Sequence, residues 1–231
     1  MINKLDWDSS FFDIPIYSLD EKDIQNKDIS AKLSQLEEGV VQCKLNIINS
    51  KSIETLVRFG FSIENTGVTY KKKIENFNEK KIERASIKDE KDILNIIKKS
   101  FINTRFKDRY FGGNSSTRLY SCWASAAIRG DYDDCCIVKK KKNMVAGFVT
   151  VRKIKNYIRI GLIAVDVNYQ KEGVGRELMQ LVEAYAIKCD IKNIEVTTQY
   201  DNYTARKLYQ SLGCCEDLVF LWLYIKLNTH K

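Results

Sequence analysis

The 231-residue sequence predicts a mixed α/β fold, a central sheet flanked by helices with a smaller α/β unit before it, and three observations carry that reading. Residues 82–231 alternate apolar runs with helical stripes in the order β, α, α, β, β, β, α, β, α, β. A glycine-containing turn, Gln170 to Arg176, stands between a strand and an amphipathic helix. A shift of 153 positions lays residues 40–74 over the later part of the chain, so the small unit reads as a degenerate half-copy of the main one.

In the first segment, Val40–Leu45 reads as a strand, and the run before Lys73 as another. The segment from Glu75 to Lys81 is polar, so the chain divides there into 1–78 and 79–231. Ser86-Ile87-Lys88-Asp89 is a helix start of the capping-box kind, followed by Ile93, Leu94, Ile97 and Phe101 at helical spacing. A second helical stretch runs near Ser116–Arg129. Cys135–Lys141 and Val145–Val151 flank a lysine-rich turn with Asn143, which predicts a β-hairpin, and Tyr157–Val165 is the next strand. Val174, Leu178, Leu181, Val182 and Tyr185 share one helical face, and Ile194–Thr198 is a strand. Ala205, Leu208, Tyr209 and Leu212 form a further stripe, ended by Gly213 at a C-cap position, and Leu218–Leu227 is the closing strand. The 153-residue shift puts Asn49 on Asn202, Gly60 on Gly213 and Leu56 on Tyr209. No glycine turn precedes Leu56, so the half-copy carries no chemistry of its own.

Composition narrows the function classes. With 44% hydrophobic and 29% charged residues the chain is an ordinary soluble type. Met1–Asp6 has no apolar stretch behind its charge, and the run Leu218–Ile225 is too short to span a bilayer, so a cytoplasmic location away from membranes is expected. Seven cysteines without CxxC spacing and a lone histidine, His230, favour buried free thiols over disulfides, a metal site or a Cys-His nucleophile. The net charge of +8 admits an anionic partner. The lysines of 71–73 and 139–142 read as solvated strand ends and turns, and no nucleic-acid-binding motif accompanies them.

Two motifs carry chemistry. In Gln170-Lys171-Glu172-Gly173-Val174-Gly175-Arg176, unpaired amides and partial positive charge at a helix N-terminus suit a diphosphate. Glycines 173 and 175 would let backbone approach phosphate oxygens. The plain structural alternative is a strand-to-helix turn without a ligand. A dinucleotide fingerprint fails because its first glycine is missing, although Glu195 lies twenty residues past Gly175; a nucleoside-triphosphate loop fails because no G-K-[ST] is present. The second motif is Asn202-Tyr203-Thr204-Ala205-Arg206-Lys207-Leu208-Tyr209 with Gly213 beyond it. Taken singly, Asn202 caps a helix and Tyr209 packs in a core.

Together the two motifs resemble the GNAT (Gcn5-related) acetyltransferase superfamily, whose Q/R-x-x-G-x-G/A loop matches Gln170, Gly173 and Gly175. Its N-x-x-A-x-x-L-Y-x-x-x-G helix matches Asn202, Ala205, Leu208, Tyr209 and Gly213. Val167 departs from the family, which often has proline there. The resemblance implies acetyl-coenzyme A as cosubstrate and no metal. Amides from Lys171 through Glu172, Gly173, Val174 and Gly175 to Arg176 would hold the pyrophosphate. Strand residues Ile163, Ala164 and Val165 would pair with the pantetheine arm, Asn202 would contact it, Arg206 would lie beside the cofactor, and Tyr209 would face the sulfur as general acid. Glu195 or Asp166, acting through water, are the options for a base. A narrower resemblance rests on Leu5–Pro15, Thr104–Asp108, Tyr120, Trp123 and Ile128-Arg129-Gly130. It is to bacterial members of the family that acetylate a dTDP-linked 4-amino-4,6-dideoxyhexose. That implies a nucleotide-sugar acceptor bound against the first segment. A peptide amine, a non-catalytic coenzyme A-binding module and a homodimeric assembly stay open.

Overall fold

The structure, a computed structural model, describes residues 2–24, 29–75, 79–102 and 104–228. His230 and residues 76–78 of the polar segment lie outside that range. The first segment runs β1 (Ile2–Lys4), α1 (Asp6–Phe12), β2 (Ile16–Leu19), α2 (Glu21–Ile24), α3 (Ile29–Ser34), β3 (Gly39–Asn46), α4 (Ser50–Arg58) and β4 (Ser62–Lys73). The rest is α5 (Glu90–Ser100), α6 (Asp108–Phe111), α7 (Ser115–Arg129), β5 (Cys135–Lys141), β6 (Met144–Ile154), β7 (Tyr157–Val165), α8 (Val174–Lys188), β8 (Asn193–Gln199), α9 (Tyr203–Ser211) and β9 (Cys215–Leu227). Ser86 and Asp89 form the capping box, reciprocally satisfying backbone amides ahead of α5. The strand expected first in 82–231 is reduced to a short edge. Arg84 bridges Ile137, and Ala85 N–H donates to Cys136 O.

All the strands join one mixed sheet in the order β1-β2-β3-β9-β4-β8-β7-β6-β5. The pairs β2–β3 and β7–β8 are parallel and the others antiparallel. β4 precedes the polar segment in sequence yet lies between β9 and β8, so strands from both sides of residue 78 share the sheet. The 153-residue offset carries the bounds of α4 onto those of α9, and the start of β4 onto the start of β9. Asn49 and Asn202 both stand at N-caps, and Gly60 and Gly213 both take left-handed φ, +87° and +78°. Each unit's first strand pairs with the other's second strand, and the two second strands pair at the centre.

Period-two patterning decides which face each side chain takes. On one face Val41, Cys43, Leu45, Leu223, Val68, Tyr70, Ile194 and Val196 are buried, and α3, α4, α8 and α9 contribute to the same cores. On the other, α5 and α7 pack on β5–β7, while α1 and α6 pack near β2, β3 and β9. Between those helix pairs the centre of the sheet stays open: Thr197 on β8 is exposed and bonds Thr69 on β4 through its hydroxyl at 2.9 Å. Among the described residues no helix is long and apolar enough to cross a membrane.

Candidate active site

The turn ahead of α8 is shaped by two backbone reversals and a close helix contact. Lys171 and Gly173 take φ of +63° and +81°. Nothing lies within 4 Å of a Cβ built on Gly173, so glycine is needed there for its conformation. Gly175 is needed for a different reason. A Cβ there would meet Leu208 Cδ2 at 3.0 Å, which fixes how closely α9 crosses the start of α8. This helix contact is a second demand on the glycine, beside the phosphate approach its place in the turn suggests.

Gln170, Lys171 and Glu172 are exposed, while Val174 turns inward to the core. Arg176 donates to Ser211 Oγ at 2.9 Å, joining α8 to the end of α9. Lysines 139, 140 and 141, expected to be merely solvated, are ion-paired: Lys139 to Glu177, Lys140 to Glu83 and Asp89, Lys141 to Glu172. Their charge is held beside the turn by carboxylates rather than offered to a ligand.

A wedge opens next to this turn. The β7–β8 ladder runs from Ile158–Ile194 to Ile160–Val196 and stops, although β7 continues to Val165 and β8 to Gln199. Ile163, Ala164 and Val165 lie past that point, paired on their other side with Val149, Phe148 and Gly147 of β6. A register shift between Val149 and Val151 accompanies the split, and there Leu162 N–H donates to Thr150 Oγ1. The freed edge of β7 is the kind of main-chain template that an extended amide chain pairs with.

α9 borders the wedge. Asn202 caps it, its Oδ1 accepting from Ala205 N–H at 3.1 Å. Tyr209 is 2% exposed, its ring 5.6 Å from that of Tyr70 on β4. Among the described residues its hydroxyl makes no hydrogen bond. Burial, with Cys214 and Tyr70 adding to it, pushes that hydroxyl well above the ordinary phenol range. Arg206 is engaged inside the protein: it donates to Tyr70 Oη and to Tyr200 O, and it lies 3.9 Å over the Tyr200 ring. Asp166 accepts from Asn168 N–H, capping the 3-10 turn Val167–Tyr169, and Glu195 lies on β8 opposite Arg159.

The open face of the sheet was legible only as a pattern. Gln42, Lys44 and Asn46 alternate with apolar residues along β3, as Glu195, Thr197 and Gln199 do along β8. Register places Gln42 against Tyr224, Lys44 against Trp222 and Asn46 against Phe220. The Phe220 ring crosses Gly67, where a Cβ would come within 2.3 Å of it, and the Lys44 ammonium stands 3.8 Å over that ring. Loss of hydration holds Lys44 below the ordinary lysine range, with Glu195 opposing. Arg105 lies between the Phe106 and Trp222 rings, 4.0 and 3.9 Å from their centroids, and donates to Gln42 and to the Tyr224 hydroxyl. Arg109 instead pairs with Glu64.

A turn at a helix N-terminus beside a splayed parallel strand pair suits an anionic group joined to an extended amide arm. Residues 98–214 match the model of the acetyltransferase (GNAT) family, and the chain belongs to that family. It is 26% identical to dTDP-fucosamine acetyltransferase of Escherichia coli O6:H1 (strain CFT073), over 96% of this chain and 97% of that protein. Among solved structures, a conserved protein of unknown function from Staphylococcus epidermidis shares the fold, with TM-score 0.63 and 16% identity over 93% of this chain and 85% of that one. So does a GCN5-related N-acetyltransferase from Sphaerobacter thermophilus, with TM-score 0.62 and 12% identity over 91% and 73%. The protein is an acetyl-coenzyme A-dependent acetyltransferase.

Proposed function

We propose that the chain moves the acetyl group of acetyl-coenzyme A to the 4-amino group of a dTDP-linked 4-amino-4,6-dideoxyhexose, a reading supported by its similarity to the dTDP-fucosamine acetyltransferase of Escherichia coli. In this reading amides of 171–176 hold the coenzyme's pyrophosphate, and the freed edge of Ile163–Val165 receives its pantetheine arm. Asn202, at the start of the last helix, would contact that arm in the same reading. The amine attacks the thioester directly, and Tyr209 protonates the departing thiolate. Residues 79–231 carry this chemistry, and residues 1–78 form the acceptor wall.

Arg105 carries the acceptor reading. Its hydrogen bonds go to neutral groups and it makes no ion pair among the described residues; the Asp8 carboxylate acts on it only at a distance, which leaves the guanidinium able to meet a nucleotide diphosphate. It stands where β3 of the first segment meets β9, with Trp222 beneath it. A peptide amine needs no such cation. The deciding measurement is release of free coenzyme A thiol by the intact enzyme with dTDP-4-amino-4,6-dideoxygalactose and with peptides bearing free amino termini. Turnover with peptides alone would set the sugar reading aside.

The cofactor placement has its own test. Gly173→Val imposes a left-handed φ on a β-branched residue and puts a side chain at the helix start. Calorimetric titration is expected to show acetyl-coenzyme A affinity at least ~10-fold weaker, the equivalent of about 1.4 kcal/mol. Unchanged affinity would move the pyrophosphate elsewhere.

A further inference from the structure

Beside the split of β7 from β8 lies a group of buried charges that the reading above does not use. Asp133, in the turn between α7 and β5, is 0% exposed. Trp123 Nε1–H of α7 donates to its Oδ2 at 2.7 Å. Its Oδ1 makes no hydrogen bond among the described residues. Arg159 of β7 points Nη2 toward that oxygen at 3.7 Å, too far to bond, and its Nε and Nη2 are likewise buried without partners. Burying a carboxylate with one hydrogen bond is costly, and such a group is a candidate for function rather than stability.

The backbone is cut to fit it. A Cβ on Gly161 would come within 2.4 Å of Asp133 Oδ2 and 2.7 Å of Thr150 Oγ1. Glycine at this point of β7 therefore lets the carboxylate lie against the strand. Gly161 is one residue past the last β7–β8 pair, at the mouth of the wedge and two residues before Ile163. An amine attacking an acetyl group held along 163–165 must approach that mouth.

We propose that Asp133 takes the proton that the acceptor amine loses, relayed through water because the carboxylate itself is buried, with Trp123 fixing it beside Gly161 and the Arg159 cation facing it. The nitrogen–carbon bond forms and the carbon–sulfur bond breaks. The thiolate takes the Tyr209 proton, the nitrogen's proton goes to Asp133 and on to solvent, and solvent reprotonates Tyr209. This rests on the acetyl-transfer reading but not on the identity of the acceptor. The charged and titratable groups around Asp133 are Arg159, Asp134, Cys135 and Cys136 of β5, Tyr132, Arg152 of β6 and Glu195 of β8.

The test uses the full chain and whichever acceptor the parent enzyme turns over, the dTDP-amino sugar or a peptide, so failure of the sugar reading is seen separately in the parent. Asp133→Asn keeps the shape and a carbonyl oxygen for Trp123. It is expected to lower kcat about 100-fold while leaving KM and calorimetric affinity for acetyl-coenzyme A unchanged, a split that a merely structural role would not give. Gly161→Ala should displace the carboxylate and lower kcat in the same way; it keeps the idea testable if the first variant folds poorly. An unchanged rate in a folded Asp133→Asn, with the loss of kcat appearing in Glu195→Gln instead or in neither, would overturn the assignment.

Discussion

Tyr209→Phe is expected to lower kcat by about 100-fold while leaving the melting temperature where it is. The stability half of that expectation follows from the structure. The hydroxyl makes no hydrogen bond among the described residues, so phenylalanine keeps the packing against Tyr70 and loses no internal partner. The rate half follows from proton supply. Burial holds the proton on Tyr209 past the ordinary phenol range, so the group is protonated at neutral pH, ready to give its proton once a thiolate forms beside it. The rate should therefore show no decline from this group below pH ~10, the unperturbed phenol value. The same shift has a thermodynamic sign. A pKa higher in the folded than the unfolded state stabilises the fold fully below the unfolded value, and that contribution is lost as pH rises through the folded one. Urea midpoints measured at neutral pH and above pH ~10 should fall less in the phenylalanine variant than in the parent. A variant that turns over like the parent would leave Tyr209 as a core residue and nothing more.

The second large effect is expected at Arg105. Arg105→Met keeps an apolar stem between Phe106 and Trp222 but removes the cation. A hydrogen bond to a charged group is worth about 1.5–3 kcal/mol, so KM for the nucleotide sugar should rise roughly 10- to 100-fold. KM for acetyl-coenzyme A should not move. Arg105→Lys is expected to recover only part of the loss, because an ammonium cannot reproduce the planar, stacked, forked donor set. The Met variant also leaves Gln42 and the Tyr224 hydroxyl without their donor, so its melting temperature should drop. A parallel rise in both KM values would mark Arg105 as a structural residue only.

The catalytic half of the fold was legible because its signals are local. The Ser86–Asp89 box, the Asn202 cap and Gly213 after the last helix are each set within a few residues, and the structure has them as the spacing predicts. Strand order is not local. Nothing in Ser62–Lys73 announces that it will lie between β9 and β8, since Val68 and Tyr70 would be buried beside any neighbour. The packing role of Gly175 was not legible because its neighbour, Leu208, is far along the chain. Asp133 and Arg159 could not be found at all from spacing. A lone aspartate in a turn and a lone arginine in a strand become a pair only when α7 and β7 are brought together. The one clue left unused was the alternation of polar residues in β3, where a fully buried strand would have been apolar throughout.

The position of β4 also decides when the enzyme can come into being. β9 begins at Cys215 and lies between β3, which begins at Gly39, and β4, which begins at Ser62. During synthesis, therefore, the first segment must wait with two unfilled strand edges until β9 has emerged. Such late pairing makes for slow folding, since the entropy of closing the long loop is lost before the contacts form. It also leaves β3 and β4 open meanwhile to strands of other chains. A chain cut short of β9 would lack the strand that joins those two, and one lacking residues 1–75 would leave β8 and β9 with bare edges. Neither half is expected to be a working unit, and a ribosome stalled before β9 would hold an unfinished sheet rather than a finished first domain.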